Sequence, residues 1–279
     1  MDRISAHQLT TFAQQLRREE RAPGTIEKYL RDIRLFLLWL GDTPLSKECT
    51  AAWKEHLTAS RYAPATINSM LAALNTFLRV IHREDCRVKF LKVQRRLFRD
   101  ERRALSRREY ERLQSAAAAL GRERLALLME TITATGIRVS ELHDITVESV
   151  RRGRSEIALK GKIRTILLPR KLCRKLMNYA RKQKIASGEI FLTESGKPLH
   201  RRQIWAEMKA LCKHAKVAES KVFPHNLRHL FAEAFYRSCK DVVHLADVLG
   251  HSSIETTRIY LQTTGNEHRR TLERLGFVT

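Results

Sequence analysis

Acidic residues are in short supply. Against 53 Lys and Arg the 279-residue chain sets only 30 Asp and Glu, a formal net charge of +23. Self-repulsion on that scale is tolerated where the partner is a polyanion. Long apolar runs are missing too: no window approaches the ~20 apolar residues of a membrane span. The opening MDRISAHQLT lacks the apolar core of a signal peptide. A cytoplasmic protein without a membrane partner is expected. Five cysteines (Cys49, Cys86, Cys173, Cys212 and Cys239) are odd in number and far apart, which excludes a disulfide framework and a zinc site built on CxxC pairs. They are expected to be reduced and mostly buried. There is no GxxxxGK(S/T) loop and no GxGxxG turn, so neither ATP nor a dinucleotide is indicated. No cofactor and no metal is expected.

What is present is helical periodicity, and it repeats. In APGTIEKYLRDIRLFLLWLG, residues Ile26, Tyr29, Leu30, Ile33, Phe36, Leu37 and Leu40 fall on one face, and Gly41 closes the helix. In APATINSMLAALNTFLRVIH, residues Ile67, Met70, Leu71, Leu74, Phe77, Leu78 and Ile81 restate those positions at an offset of 41. Weaker helices over about 5–19 and 46–60 precede each, which makes a four-helix unit over 1–86. Lys28, Arg31, Arg34 and Arg79 lie off the apolar faces. They suit contact with a phosphate backbone, or they are simply solvated helix exteriors.

Residues 87–103, RVKFLKVQRRLFRDERR, hold eight Lys or Arg, Arg95 and Arg96 among them, against two acids, without sustained amphipathicity. This run reads as a basic linker over 87–104 that either connects two domains or also lies on a nucleic acid. A second domain over 105–279 opens with SRREYERL at Ser106, continues with a helix carrying Leu125, Leu128, Met129 and Ile132, and stops at Gly136. In EIALKGKIRTILLP, Ile157 and Leu159 face Ile163, Thr165 and Leu167 across a Lys-Gly-Lys turn, a β-hairpin signal. Helices follow from about 170, with a short strand at EIFL. The fold class is mainly α with a small β-hairpin in the second domain (α+β).

Three stretches of this domain gather cationic and proton-donating groups. In ATGIRVSEL, Arg138 lies between the helix stop at Gly136 and a new helix opening near Ser140, whose free N–H groups favour an anion. In FPHNLRHLF, Pro224 starts a helix on which His225 and Arg228, three apart, share a face. In LGHSSIETTRIYLQ, Gly250 ends a helix, Ser252 and Glu255 have capping-box spacing, and His251 precedes the next helix. Tyr260 stands nine residues on, its Cα roughly 13 Å from that of His251 along an uninterrupted helix. A bend would bring the phenol closer. Taken singly, each has a plain structural reading: a surface arginine, a capping histidine, a packing tyrosine.

Taken in order, ATGIRVSEL, the hairpin lysine, HNLRH, LGH and IY resemble the tyrosine recombinase (phage integrase) family across the whole second domain, and the four-helix unit resembles its core-binding domain. The likeness is to the simpler Xer-like or transposon-type members. It implies Arg138 and Arg228 as the arginine pair, His225 and His251 as the histidines, Tyr260 as the nucleophile, Lys160 as the hairpin lysine and Glu141 as a supporting acid. The usual Gly-Lys-Gly-x-Lys turn is one residue shorter here, which leaves Lys162 as a substitute for Lys160.

That residue set suits attack on a phosphodiester. Charge grows on the phosphate in the transition state, and arginine forks answer it on the non-bridging oxygens. Cations favour the phenolate, and a lysine can protonate the departing 5′ oxygen. A 3′-phosphotyrosyl bond conserves the energy of the broken linkage, so no ATP is needed. The resemblance implies double-stranded DNA as partner, a homotetramer on paired sites, accessory DNA-binding proteins in some members, and a nucleoid-associated location. A type IB topoisomerase-like relaxing enzyme and a non-catalytic DNA-binding architectural protein are the alternatives.

Overall fold

The computed structural model describes residues 6–93, 101–159, 162–251, 253–261, 269 and 272–275. It divides into two compact units, Met1–Arg95 and Arg96–Thr279. Among the described residues no helix is long and apolar enough to cross a membrane.

The first unit is a four-helix bundle of α1 (Ala6–Arg18), α2 (Pro23–Leu40), α3 (Lys47–Ala59) and α4 (Pro64–Val80). The repeat read from the sequence is structural, because α2 and α4 each begin with Pro in the first turn and pack against each other. Gly41 closes α2 at φ 57, donating its N–H to the Leu37 carbonyl. Ile33, Phe36, Leu71, Leu74, Phe77 and Leu78 form the core, where Phe77 meets Phe12 edge-on at 5.3 Å. On the polar faces, Lys28 and Arg31 both bind Asp32, and Arg79 binds Glu19 at 2.7 Å; Arg34 is exposed. The start of the basic run is fastened to α4 by side chains that act like a neighbouring strand. Asn75 exchanges two hydrogen bonds with the Val88 backbone, and Asn68 does the same with Leu91. Arg95 and Arg96 lie outside the described residues.

In the second unit α5 (Arg107–Ala119) starts at a capping box between Ser106 and Glu109, and α6 (Glu123–Thr135) stops at Gly136 in the left-handed region. There follow α7 (Val147–Arg152), the antiparallel hairpin β1 (Arg154–Leu159) and β2 (Lys162–Leu167), α8 (Arg170–Lys182), α9 (Arg201–Ala215), α10 (Pro224–Cys239), α11 (Val242–Leu249) and the short α12 (Ile254–Arg258). EIFL forms isolated bridges rather than a strand, Glu189 with Thr146 and Leu192 with Pro198. Leu128, Met129, Ile132, Leu176, Met208, Leu211 and Leu227 fill the core.

Three further expectations need correction. The hairpin exists, but its pairing is shifted by one: Ile157 faces Arg164 and Leu159 faces Lys162. Ile163 and Leu167 are therefore 76% and 75% exposed, and the inner face of β2 carries Arg164 and Ile166. A one-residue shift reverses every side chain on a strand, and β2 is apolar enough on both faces to hide the phase. The helix expected near Ser140 is a six-residue 3-10 turn, Val139–Asp144. Only Cys86 and Cys212 of the five cysteines are buried, Cys49 and Cys173 are half-buried and Cys239 is exposed.

Candidate active site

Arg228 organises the site. Pro224 at the start of α10 and the helical register turn its side chain inward, where only 2% of it is exposed. Its Nη1 donates to the Gly136 carbonyl at the end of α6, its Nη2 to the Leu249 carbonyl at 2.8 Å, and its Nε to the Tyr260 hydroxyl at 3.3 Å. Each of its three nitrogens therefore donates to an oxygen, which is what makes a buried guanidinium tolerable. Burial still lowers its pKa. Gly136 is required twice over: its φ is +65, and an added Cβ would stand 2.3 Å from Phe231 Cδ1 of α10.

His251 follows Gly250, the left-handed residue that ends α11. Its Nε2 lies 3.0 Å from Arg228 Nη2 and its Nδ1 lies 2.8 Å from the Thr257 hydroxyl. Arginine only donates, so Nε2 is the acceptor and Nδ1 carries the proton given to Thr257. Burial, then the charges of Arg228, Arg138 and Arg164, push its pKa down to about 4. The His251 and Tyr260 rings stack with centroids 5.6 Å apart. This closeness arises because α12 lasts five residues and gives way to a 3-10 turn, Ile259–Leu261, so the straight-helix separation does not apply. The cap of α12 is Ser253, without a side-chain bond, rather than the Ser252–Glu255 box; Ser252 lies outside the described residues.

His225 completes the aromatic surround, with its ring 5.7 Å from that of Tyr260. Its pKa is lowered by desolvation and by Arg228, Arg138 and Arg201, although the residue as a whole is exposed. Arg138 stands at the mouth, its side chain 32% exposed, giving its Nη1 and its backbone N–H to Glu141 at 2.7 Å each. Lys160 lies outside the described residues, as does the side chain of Lys162, so five of the six proposed catalytic residues and Glu141 are brought into one cluster.

The sequence did not point to several neighbours. Arg164 reaches Glu141 and α11 from the inner face of β2, Thr257 orients His251, and His229 lies 4.3 Å from Tyr260 ring to ring. A cleft of about 440 Å³ opens beside Arg138, His225 and Arg228, walled by Arg103, Arg201, Trp205 and Lys209. The last three recur four apart along α9, a basic and aromatic stripe that was available in the sequence; Lys209 lies 4.9 Å over the Trp205 ring. Among the described residues no group of His, Cys, Asp or Glu is arranged to hold a metal. The cluster presents arginines, neutral histidines and a buried phenol, a set fitted to an anionic ester and an oxygen nucleophile.

Comparison with known proteins agrees. Residues 103–267 match the phage integrase family, and residues 9–85 match the phage integrase N-terminal SAM-like domain. Tyrosine recombinase XerA of Thermococcus kodakarensis is 30% identical over 270 residues, covering 93% of this chain and 92% of the relative. Tyrosine recombinase XerD of Halalkalibacterium halodurans is 26% identical, covering 88% and 89%. Among solved structures, a lambda integrase dimer bound to a COC′ core site shares the fold with TM-score 0.74 at 18% identity, covering 94% of this chain and 96% of that one. The Tn1549 transposon integrase in complex with transposon right-end DNA gives 0.73 at 17%, covering 96% and 99%. With its clustered arginines, histidines and tyrosine and a match that runs through both units, the chain belongs to the phage integrase family of tyrosine recombinases, enzymes that break and rejoin DNA.

Proposed function

We propose that the protein is a site-specific recombinase whose Tyr260 attacks a DNA phosphodiester, forming a 3′-phosphotyrosyl bond as the bond to the 5′ oxygen breaks. The observation that carries this reading is the Tyr260 hydroxyl held 3.3 Å from Arg228 Nε, with His251 on the same guanidinium. Arg138 and Arg228 answer the charge on the non-bridging oxygens. His225, whose pKa is lowered, is neutral near pH 7 and accepts the phenolic proton. His251 donates to a phosphate oxygen from Nε2 once Arg228 lets go and the ring proton moves there from Nδ1, the Thr257 hydroxyl then donating to Nδ1. Glu141 holds Arg138. Lys160, or Lys162 in its place, protonates the departing 5′ oxygen, and a different 5′ hydroxyl reverses the step to exchange strands.

The substrate is double-stranded DNA, gripped by the four-helix domain (1–86), the basic linker (87–104) and the catalytic domain (105–279). Lys28, Arg31, Arg34, Arg79, Arg95 and Arg96 add phosphate contacts, the ion pairs to Asp32 and Glu19 exchanging for phosphate. Four protomers act on paired sites, aided in the cell by accessory DNA-binding proteins, in a nucleoid-associated, cytoplasmic setting. The tail contributes to assembly: Leu272 and Leu275 are each 54% exposed, and Phe277 lies outside the described residues. Deleting 266–279 is expected to abolish pairing of sites and spare single-site binding.

The test mixes wild type and Tyr260→Phe with end-labelled DNA from the flanks of the gene, on intact and nicked substrates. An SDS-stable, protease-sensitive adduct formed only by the wild type supports the reading. Binding without an adduct favours the architectural alternative. Relaxation of plasmids lacking any specific site favours the topoisomerase alternative, which recombinase relatives such as XerA do not support.

A further inference from the structure

Arg164 is a partly buried cation that the reaction above leaves without a task. Its side chain is 12% exposed, on the inner face of β2. Nη2 donates to Glu141 Oε2 at 2.7 Å, while Nη1 donates to the carbonyls of Leu249 and, at 3.3 Å, Val248. Those carbonyls end α11, where the negative pole of a helix attracts a cation. Arg228 shares the Leu249 carbonyl, and the stem of Arg164 covers Gly250, whose added Cβ would stand 2.4 Å from Arg164 Cδ. One side chain therefore joins the hairpin, the Arg138–Glu141 turn and the Gly250–His251 turn.

Its charge matters through Glu141. That carboxylate is 2% exposed and shared, with Arg138 Nη1 on one oxygen and Arg164 Nη2 on the other. Two guanidiniums around one carboxylate leave the pair of arginines with net positive charge beside the cleft. Without Arg164, a full buried negative charge would fall on Arg138, holding it as a neutralised ion pair and weakening its attraction for phosphate. Burial, together with Arg228 and Arg138, depresses the Arg164 pKa to about 10 against the pull of Glu141, which still leaves it charged at neutral pH.

We propose that Arg164 is a positioning residue for strand cleavage: by holding Glu141 Oε2 and the carboxyl end of α11 it keeps Arg138 available to the scissile phosphate and seats the His251 turn against Arg228. This rests on the cleavage reading above.

The test uses the full chain and nicked DNA carrying at the scissile position either the ordinary diester or an uncharged methylphosphonate, with wild type and Tyr260→Phe as controls. Arg164→Met is expected to form adduct on the diester about 10²-fold more slowly, the size of a lost transition-state donor. Adding Glu141→Gln to it should restore rate, because the unbalanced carboxylate is gone, and the methylphosphonate, with no charge for Arg138 to meet, should shrink the defect. A passive packing role predicts neither effect. Melting curves report whether Arg164→Met folds. If it does not, Arg164→Lys takes its place, keeping a cation on Glu141 without the second arm, with a loss of about tenfold. A folded variant as fast as wild type, or a double variant whose two losses simply add, overturns the proposal. A wild type that forms no adduct on any substrate overturns the cleavage reading itself, and this proposal with it.

Discussion

The Tyr260 hydroxyl is a hydrogen-bond acceptor for Arg228 Nε at 3.3 Å, so the proposed nucleophile and the most buried arginine of the site share one contact before any DNA arrives. Their variants should nevertheless behave differently. Tyr260→Phe removes one polar atom and should fold and bind DNA normally while forming no adduct. Arg228→Ala strips the donor from the Gly136 carbonyl as well, whereas the Leu249 carbonyl keeps Arg164, and a buried group left unpaired costs about 1–3 kcal/mol. Thermal melting beside adduct yield separates the two.

Stability should fall in mild acid. His251 has a folded pKa of about 4 against 6.5 when unfolded, so between those values the unfolded chain binds more protons. The stabilisation is complete above pH 6.5 and disappears as pH falls toward 4. The depressed pKa of His225 acts in the same direction. A His251→Gln variant should show a shallower decline of melting temperature across that interval; an unchanged slope would assign the acid sensitivity elsewhere.

Gly250 should tolerate no side chain. It sits at φ +64, where an L residue is strained by about 1–3 kcal/mol, and an added Cβ would run into the Arg164 stem. Gly250→Ala should lower the melting temperature and reduce adduct formation together, since the turn it shapes carries His251. Gly188, at φ +77 with open space around it, is the control: its alanine variant should bear the backbone strain without the loss of cleavage.

In the first unit, Asn75→Ala should destabilise the bundle well beyond an ordinary surface change. Asn75 is 8% exposed and satisfies both the N–H and the carbonyl of Val88. Removing it orphans two backbone groups, about 1–3 kcal/mol apiece where water cannot reach them. Faster proteolysis in the basic run after residue 87 is the accompanying readout.

Local signals were legible wherever geometry is set within a few residues. The helix start at Ser106, the stop at Gly136, the Pro-led α2 and α4 and the helix end at Gly250 all depend on backbone preferences that neighbours in sequence fix. The hairpin was visible but its phase was not, because Ile163, Ile166 and Leu167 make both faces of β2 look apolar. That ambiguity hid Arg164. Thr257 carried no sequence signal, and His229, although it ends the HNLRH stretch, was given no role, being a second histidine on a helix.

By itself, the sequence determined the chemistry available: the arginines, histidines and tyrosine, their order and spacing, the helical character of both units and the excess of positive charge. Only the tertiary structure decided which of these meet and in what state. Arg228 becomes the centre because the ends of α6 and α11 converge on it with their carbonyls, and Tyr260 reaches it because α12 breaks after five residues. The physical reason is range. Helix caps and turns are decided by adjacent residues, whereas a buried guanidinium is stable only where distant segments supply oxygens, and that convergence exists nowhere but in the folded chain.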